Sequence, residues 1–234
     1  MVDREIAPER ENKMIRTILE NQLERLVTNT SFFWKDRPDR ALVAKTIHAL
    51  DSRYELAMKM AREPAVAEII QQMAGRLAAS FRRLSDLQNK RVLDIACGSN
   101  TSRLPASLYF DTLAAEIAPG KNGRDYTALF EPWFCRMLYE LGAAPVGVDM
   151  GDLEQELFTH LKVDLGKPGV LDFLPEASFD AIQDSRLFGS PEFTAQFPRP
   201  ADRLKVAQEI VRQEYRLLKP RGIIIHSDAA ALLR

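Results

Sequence analysis

Apolar and polar positions follow two different rhythms along the chain, and the change falls near residue 90. In ENKMIRTILENQLERLV, the residues Met14, Ile18, Leu19, Leu23, Leu26 and Val27 recur at helical spacings, with charged residues on the opposite face. A break, TNTSFFWKDRPD, precedes RALVAKTIHALDSRYELAMKMARE, which resumes the same period. Pro64 then opens PAVAEIIQQMAGRLAASFRRL at the first-turn position, where a proline is tolerated. No strand-like alternation of useful length occurs before Arg91, so residues 1–88 are expected to form a helical N-terminal region.

From Arg91 onward, short apolar runs alternate with helical stretches, the pattern of a parallel sheet with crossover connections. Strands are predicted at RVLDIA, PVGVD, HLKVDL, FDAIQD and GIIIHSD. Between them lie FEPWFCRMLYELGA, a helix ending at Gly142, and PADRLKVAQEIVRQEYRLLKPRG. In the latter, Leu204, Ala207, Val211, Tyr215 and Leu218 form one apolar face, and KPRG stops the helix. The expected fold is therefore α/β, a mostly parallel sheet of about five strands with flanking helices, preceded by the helical region. No internal repeat or low-complexity tract interrupts it.

Composition narrows the function classes. A chain of 234 residues with 46% hydrophobic and 28% charged residues is of ordinary globular make-up, enough for one large domain with an extension. Lys plus Arg at 32 nearly cancels Asp plus Glu at 33, so the formal charge of -1 gives no broad field for nucleic acid or an acidic membrane, and neither partner is expected. The longest apolar runs fall well short of the roughly 20 residues of a membrane-spanning helix. The start, MVDREIAPERENK, has no apolar signal-peptide core, which places the expected location in the cytoplasm. Cys97 and Cys135 form neither a CxxC nor a Cys/His array, so no metal site is expected. Both read as free thiols, with Cys97 a small spacer in a loop rather than a nucleophile.

The chemistry concentrates at RVLDIACGSN. A buried strand ending in Asp94 and followed by Ala96, Gly98 and Asn100 makes a tight turn at the carboxyl edge of a sheet, where open α/β folds bind ligands. Glycine lets backbone approach a ligand closely, and Asn tolerates left-handed backbone. Later acids fall in a matching order: Asp149 ends the second predicted strand, and Asp164 ends the third. The succession then closes with SFDAIQDSRLF and EYRLLKPRGIIIHSD.

Over residues 91–228 this order resembles the class I S-adenosylmethionine-dependent methyltransferases, whose fold is Rossmann-like; LLKPRGIIIHSD is among the more specific pieces. The resemblance implies S-adenosyl-L-methionine as cofactor, with S-adenosyl-L-homocysteine as product. It implies that Asp94, Ala96, Cys97, Gly98 and Asn100 wrap the methionine part. Asp149, with Met150 beside it, would take the ribose hydroxyls, and Asp164 with Leu165 would take the adenine. Gln183 and Asp184 would lie at the end of the fourth strand, holding the cofactor amino group and the substrate. It also implies a division into residues 1–88, a helical cap, and 89–234, a cofactor-binding domain with an insertion at about 101–130.

Three departures from the family pattern bear on the reading. Ala96 and Asn100 stand where glycines are commonest, and the full GxGxxG of a nicotinamide-binding fold is lacking. A ribose acid usually follows the glycine turn by about 20 residues, whereas Asp149 follows Asp94 at more than twice that spacing. The surplus is assigned to TSRLPASLYFDTLAAEIAPGKNGRDYTALF, in which APGKNGRD reads as a lid over the cofactor or a solvated loop. Third, Arg234 follows soon after the fifth strand, so the two strands that usually complete this sheet are expected to be missing. The edge so exposed calls for cover by the N-terminal helices, by the insertion or by a second subunit in a homodimer.

For the reaction, methyl transfer needs chiefly alignment of nucleophile, methyl carbon and sulfur, with a general base only for a protonated acceptor. Asp184, Arg186 and His226 are the candidate catalytic residues, Arg186 as a bidentate anion clamp and His226 as a base or a structural histidine. The aromatic and charged stretches SFFWKDRPDR, SLYF, GKNGRDY and EPWF read either as acceptor-pocket lining or as core. The leading expectation is methyl transfer to a small molecule. A protein or RNA methyltransferase, a non-catalytic cofactor-binding module and a nicotinamide-dependent oxidoreductase remain as alternatives.

Overall fold

The helical rhythm before residue 90 produces four helices, α1 (Ile6–Ser31), α2 (Arg37–Tyr54), α3 (Leu56–Arg62) and α4 (Ala65–Ser80), closed by a 3-10 turn at Leu84–Leu87. The structure is a computed structural model that describes residues 6–99, 126–151, 153–184, 187–188 and 190–226. The stretch expected as one helix from Arg40 to Glu63 divides at Glu55, whose φ of 54° is left-handed. The Asp51 side chain stabilises the break by accepting a hydrogen bond from the Ala57 amide at 2.7 Å. Only part of the expected apolar face of α1 is used. Leu23 and Leu26 are buried, while Met14 and Ile18 are 59% and 48% exposed.

The second rhythm produces β1 (Arg91–Ile95), a 3-10 segment (Tyr126–Phe130), α5 (Trp133–Glu140), β2 (Ala144–Asp149), β3 (Thr159–Lys162), β4 (Phe179–Gln183), α6 (Pro191–Gln196), α7 (Pro200–Leu217) and β5 (Leu218–His226). All pairings are parallel and the strand order is β3-β2-β1-β4-β5, a Rossmann-like α/β sheet with flanking helices and a helical N-terminal region. The order reverses direction between β1 and β4, which sets the switch point of the sheet beside the first turn.

Strand residues alternate between two cores. Val92 faces the N-terminal helices together with Leu50, Leu77, Trp133, Leu138, Ala181 and Ile225. Leu93 and Ile95 face the other layer, with Val148, Phe179, Ile182 and the α7 residues Ala207, Ile210 and Leu217. The helices before residue 90 are thus built into one face of the sheet. Among the described residues, no helix is long and apolar enough to cross a membrane.

Two expectations near the C-terminal strand are corrected. The helix does stop just before KPRG, at Leu217, but the strand expected from Gly222 begins at Leu218, taking Lys219, Pro220 and Arg221 into β5. The missing amide of Pro220 is accommodated by shifts in the register between β4 and β5, with Arg221 at φ 66°. The buried face of α7 is also not the one predicted. It is Ala207, Ile210, Gln213, Glu214 and Leu217, while Tyr215 is 70% exposed. The buried stripe carries two polar residues, which apolar periodicity does not select.

A buried ionic cluster joins the helical layer to the sheet. Arg136 of α5 donates to Glu131 and to Glu156, the latter at 2.6 Å, and its guanidinium lies over the rings of Tyr54 and Trp133 at 4.0 and 4.9 Å. Lys59 of α3 donates to the same Glu131 at 2.6 Å. Removing one partner from such a cluster leaves buried carboxylates uncompensated. Arg136→Ala is therefore expected to lower unfolding stability by about 3–5 kcal/mol in denaturant melts. Arg53→Ala, which breaks the more exposed pair with Glu140, is expected to cost less than about 1 kcal/mol. Equal losses in the two variants would refute this role for the cluster.

Candidate functional site

The carboxyl ends of β1, β2 and β4 open into a cleft of about 190 Å³, bounded by α4, the 3-10 segment Tyr126–Phe130 and the start of α6. Its floor is the turn after β1. Ala96 has φ 58° and Gly98 φ 95°, so the chain reverses through two left-handed residues, of which one is glycine. A Cβ on Gly98 would collide with the carbonyl oxygen of Phe130, so the turn and the 3-10 segment are in direct backbone contact. Gly147 of β2 is required for a related reason. A Cβ there would stand 2.7 Å from the Cys97 sulfur and 3.1 Å from that of Cys135.

Asp149, at the end of β2, ties two turns together. Its carboxylate accepts from the Gly98 amide at 3.1 Å and from the Gly151 amide at 3.2 Å. A carboxylate has about four acceptor directions, so two remain for hydroxyl donors in the cleft. Asp94 is 2% exposed at the end of β1. Burial pushes its carboxyl up to about 7, opposed by side-chain hydrogen bonds with Cys135 and Gln183 and by the attraction of Arg76, and assisted by repulsion from Asp149. The Cys135 thiol donates to Asp94 at 3.5 Å. Burial raises both thiols, Cys97 to about 11, so they stay protonated at neutral pH and lack thiolate character.

Of the residues predicted from sequence to hold a cofactor, Asp94, Ala96, Cys97, Gly98, Asp149, Met150, Leu165 and Gln183 all line this cleft. Asp164 stands beside it, past the end of β3 rather than within the strand. Its Oδ1 accepts from the Gly166 amide at 3.1 Å and from the Gln196 side chain at 3.2 Å. The lining at that position is Leu165 and Gly166. Asn100 lies outside the described residues, as do Arg186 and the 119–124 stretch read as a lid.

The other catalytic candidates are distributed differently. Asp184 is fully buried and faces Glu214 on α7, away from the cleft lining. Burial, with repulsion from the facing Asp184, raises the Glu214 carboxyl to about 8. His226 is the last described residue of β5, in register with Gln183. In EPWF, Trp133 and Phe134 are core, and in SFFW the ring of Trp34 is buried while Phe32 points to solvent.

Sequence reasoning missed several lining residues. Ile69 and Met73 of α4 reach the cleft, as do Phe130, Glu131, Leu187, Ser190 and Phe193. Ser190 carried a readable signal, since Ser-Pro opens a helix, and its Oγ accepts from the Phe193 amide at 3.1 Å. Ile69 and Met73 carried none, being ordinary apolar positions of an amphipathic helix.

Two measurements check the turn and the buried acid. Gly98→Ala is expected to cost more than about 2 kcal/mol, whereas Ala96→Gly relieves a left-handed alanine and is expected to raise stability by about 0.5 kcal/mol. A destabilised Ala96→Gly protein in urea melts would contradict the strain at position 96. For Asp94, the folded chain holds the proton to a higher pH than the unfolded chain does. Its ionisation therefore favours unfolding between the ordinary carboxyl value of 3.8 and about 7, and the effect is constant above. The stability of the parent protein minus that of Asp94→Asn should fall as pH rises from 4 to 7. A difference that stays level over that window would show that the carboxyl is not held neutral.

The chain matches no family model and no curated protein. Among solved structures it is similar to the trans-methyltransferase CalH in a complex with SAH, at 13% identity over 92% of this chain and 71% of that one, with a TM-score of 0.29.

Proposed function

We propose that the cleft binds S-adenosyl-L-methionine and that the protein transfers its methyl group to a small-molecule acceptor. The observation that carries this reading is the charge of the lining. Asp94, Glu131 and Asp149 are its acidic members, and no Lys, Arg or His lines it among the described residues. A ligand with phosphates, such as a nicotinamide dinucleotide, would meet carboxylates and no countercharge. A sulfonium with an ammonium group meets favourable Coulomb attraction at the same place.

The donor and acceptor set fits that cofactor. The free acceptor directions of Asp149 suit two ribose hydroxyls, Leu165 and Gly166 offer an apolar seat for a flat ring, and Asp94 and Gln183 suit an ammonium group. When bound, the cofactor supplies an electrophilic methyl group on a cationic sulfur. The chain's own contribution is to fix that group against the β1 turn, exclude water with Phe130 and Leu187, and present an acceptor in line. With Asp184 turned into the core, the reading rests on alignment, without a dedicated general base at that position.

Isothermal titration tests it. S-adenosylmethionine and S-adenosylhomocysteine are expected to bind one per chain, and NAD not at all. Asp149→Ala should weaken both by about 100-fold, from the loss of two hydrogen bonds to a charged acceptor. Binding of NAD in place of the sulfonium, or an unchanged affinity in Asp149→Ala, would overturn the proposal.

A further inference from the structure

The strand order fixes which end of the cleft is left for the acceptor. Leu165 and Gly166 follow β3, Asp149 to Gly151 run from the last residue of β2, Asp94 to Ser99 run from the end of β1, and Gln183 closes β4 with Leu187 after it. In the order β3-β2-β1-β4-β5 these groups form a row across the sheet edge. If the ribose acid is Asp149 and the ammonium site is Asp94 with Gln183, a bound cofactor runs along that row from β3 towards β4. Its methyl group then faces the β4 side. There the wall belongs to α4, which packs beside β5, with the Ser80 hydroxyl donating to the Ile225 carbonyl at 3.5 Å. From α4, Ile69 and Met73 project into the cleft, one helical turn apart, and Leu129 and Leu187 complete the surface.

Resting on the cofactor reading above, the geometry points to an acceptor that is an uncharged, apolar small molecule, held against Ile69 and Met73. A carboxylate or phosphate on it would enter a wall without a lining cation among the described residues, facing the acids Asp94 and Glu131. Arg76, on the next turn of α4, directs its charge at Asp94 and is not part of the lining. Glu131 is itself held by Lys59 and Arg136, so those two cations are committed. An uncharged acceptor also fits the charge balance of the step. Its lone pair forms the new bond to the methyl carbon while the carbon–sulfur bond breaks, leaving the electron pair on sulfur. The positive charge passes from sulfur to the acceptor, which releases a proton to water only if the attacking atom carries one.

The test uses indole and indole-3-acetate as paired probes, titrated into the full chain with and without S-adenosylhomocysteine, by calorimetry or saturation-transfer spectroscopy. Indole is expected to bind at least tenfold more tightly than indole-3-acetate. Met73→Ala should weaken indole threefold or more while leaving the S-adenosylhomocysteine affinity unchanged. Met73→Lys should reverse the preference between the two rings, with the melting transition of each variant confirming that it folds. The proposal is overturned if indole-3-acetate binds the parent protein as tightly as indole, if neither ring binds, or if both Met73 variants leave the ring affinities unaltered. Ring binding that depends on Met73 without any S-adenosylhomocysteine binding would remove the cofactor reading and leave the apolar chamber standing. Cofactor binding without ring binding would do the reverse.

Discussion

The guanidinium of Arg136 is the interaction on which the rest of the arrangement depends. It is buried, it bridges Glu131 and Glu156, and it is sandwiched by Tyr54 from α2 and Trp133 from its own helix. Through Glu131 it also engages Lys59 of α3. A charge buried this deeply is tolerated only while its partners hold their geometry, so the cluster fixes residue 131 against both the helical layer and α5. Phe130, one residue earlier, supplies the carbonyl that abuts Gly98. The turn after β1 is therefore shaped from two sides: by the strand that feeds it, and by a segment whose position is set by an ion cluster rooted in the N-terminal helices.

That dependence explains what was legible in the sequence and what was not. The turn itself was readable because buried parallel strands leave continuous apolar runs, and because Asp94, Gly98 and Asp149 are residue types that such edges select for stated physical reasons. The strand sequence was readable for the same reason. The face of α7 was not, since Gln213 and Glu214 lie on its buried side, and no periodicity rule places a carboxyl there. Glu214 is buried because Asp184 meets it from β4, a contact between residues in separate elements that exists only in the folded chain. The wall of the cleft was illegible in a different way. Ile69 and Met73 share one helical stripe with fully buried neighbours such as Val66 and Ile70, and only the placement of α4 over the sheet edge separates lining from core.

The buried acids also divide by what surrounds them. Asp149 has amide donors on both oxygens, and its carboxylate is stabilised by two backbone dipoles. Asp94 has a thiol and an amide side chain for company, which offset desolvation less, and its proton is held to about pH 7. Glu214 faces Asp184, and burial together with that repulsion pushes its carboxyl up. The same functional group is thus held in three different environments. Asp94, Asp149 and Glu131 line the cleft, so a cationic ligand there would favour the ionised form of the Asp94 carboxyl.

The helical region and the sheet share one core, in which Leu50 and Leu77 pack in a cluster with Trp133, Ala181 and Ile225. A helical cap joined only by a linker would be free to move independently of the site; this one is not. Because α4 contributes Val66, Ile69, Ile70 and Leu77 to that core, with Met73 packed against it, and Ile69 and Met73 also line the cleft, one placement of the helix sets both. A change that shifts α4 in the core therefore shifts the cleft wall with it. The wall of the cleft is accordingly made of side chains that the core also holds, so its shape is set by the same packing that positions the helix.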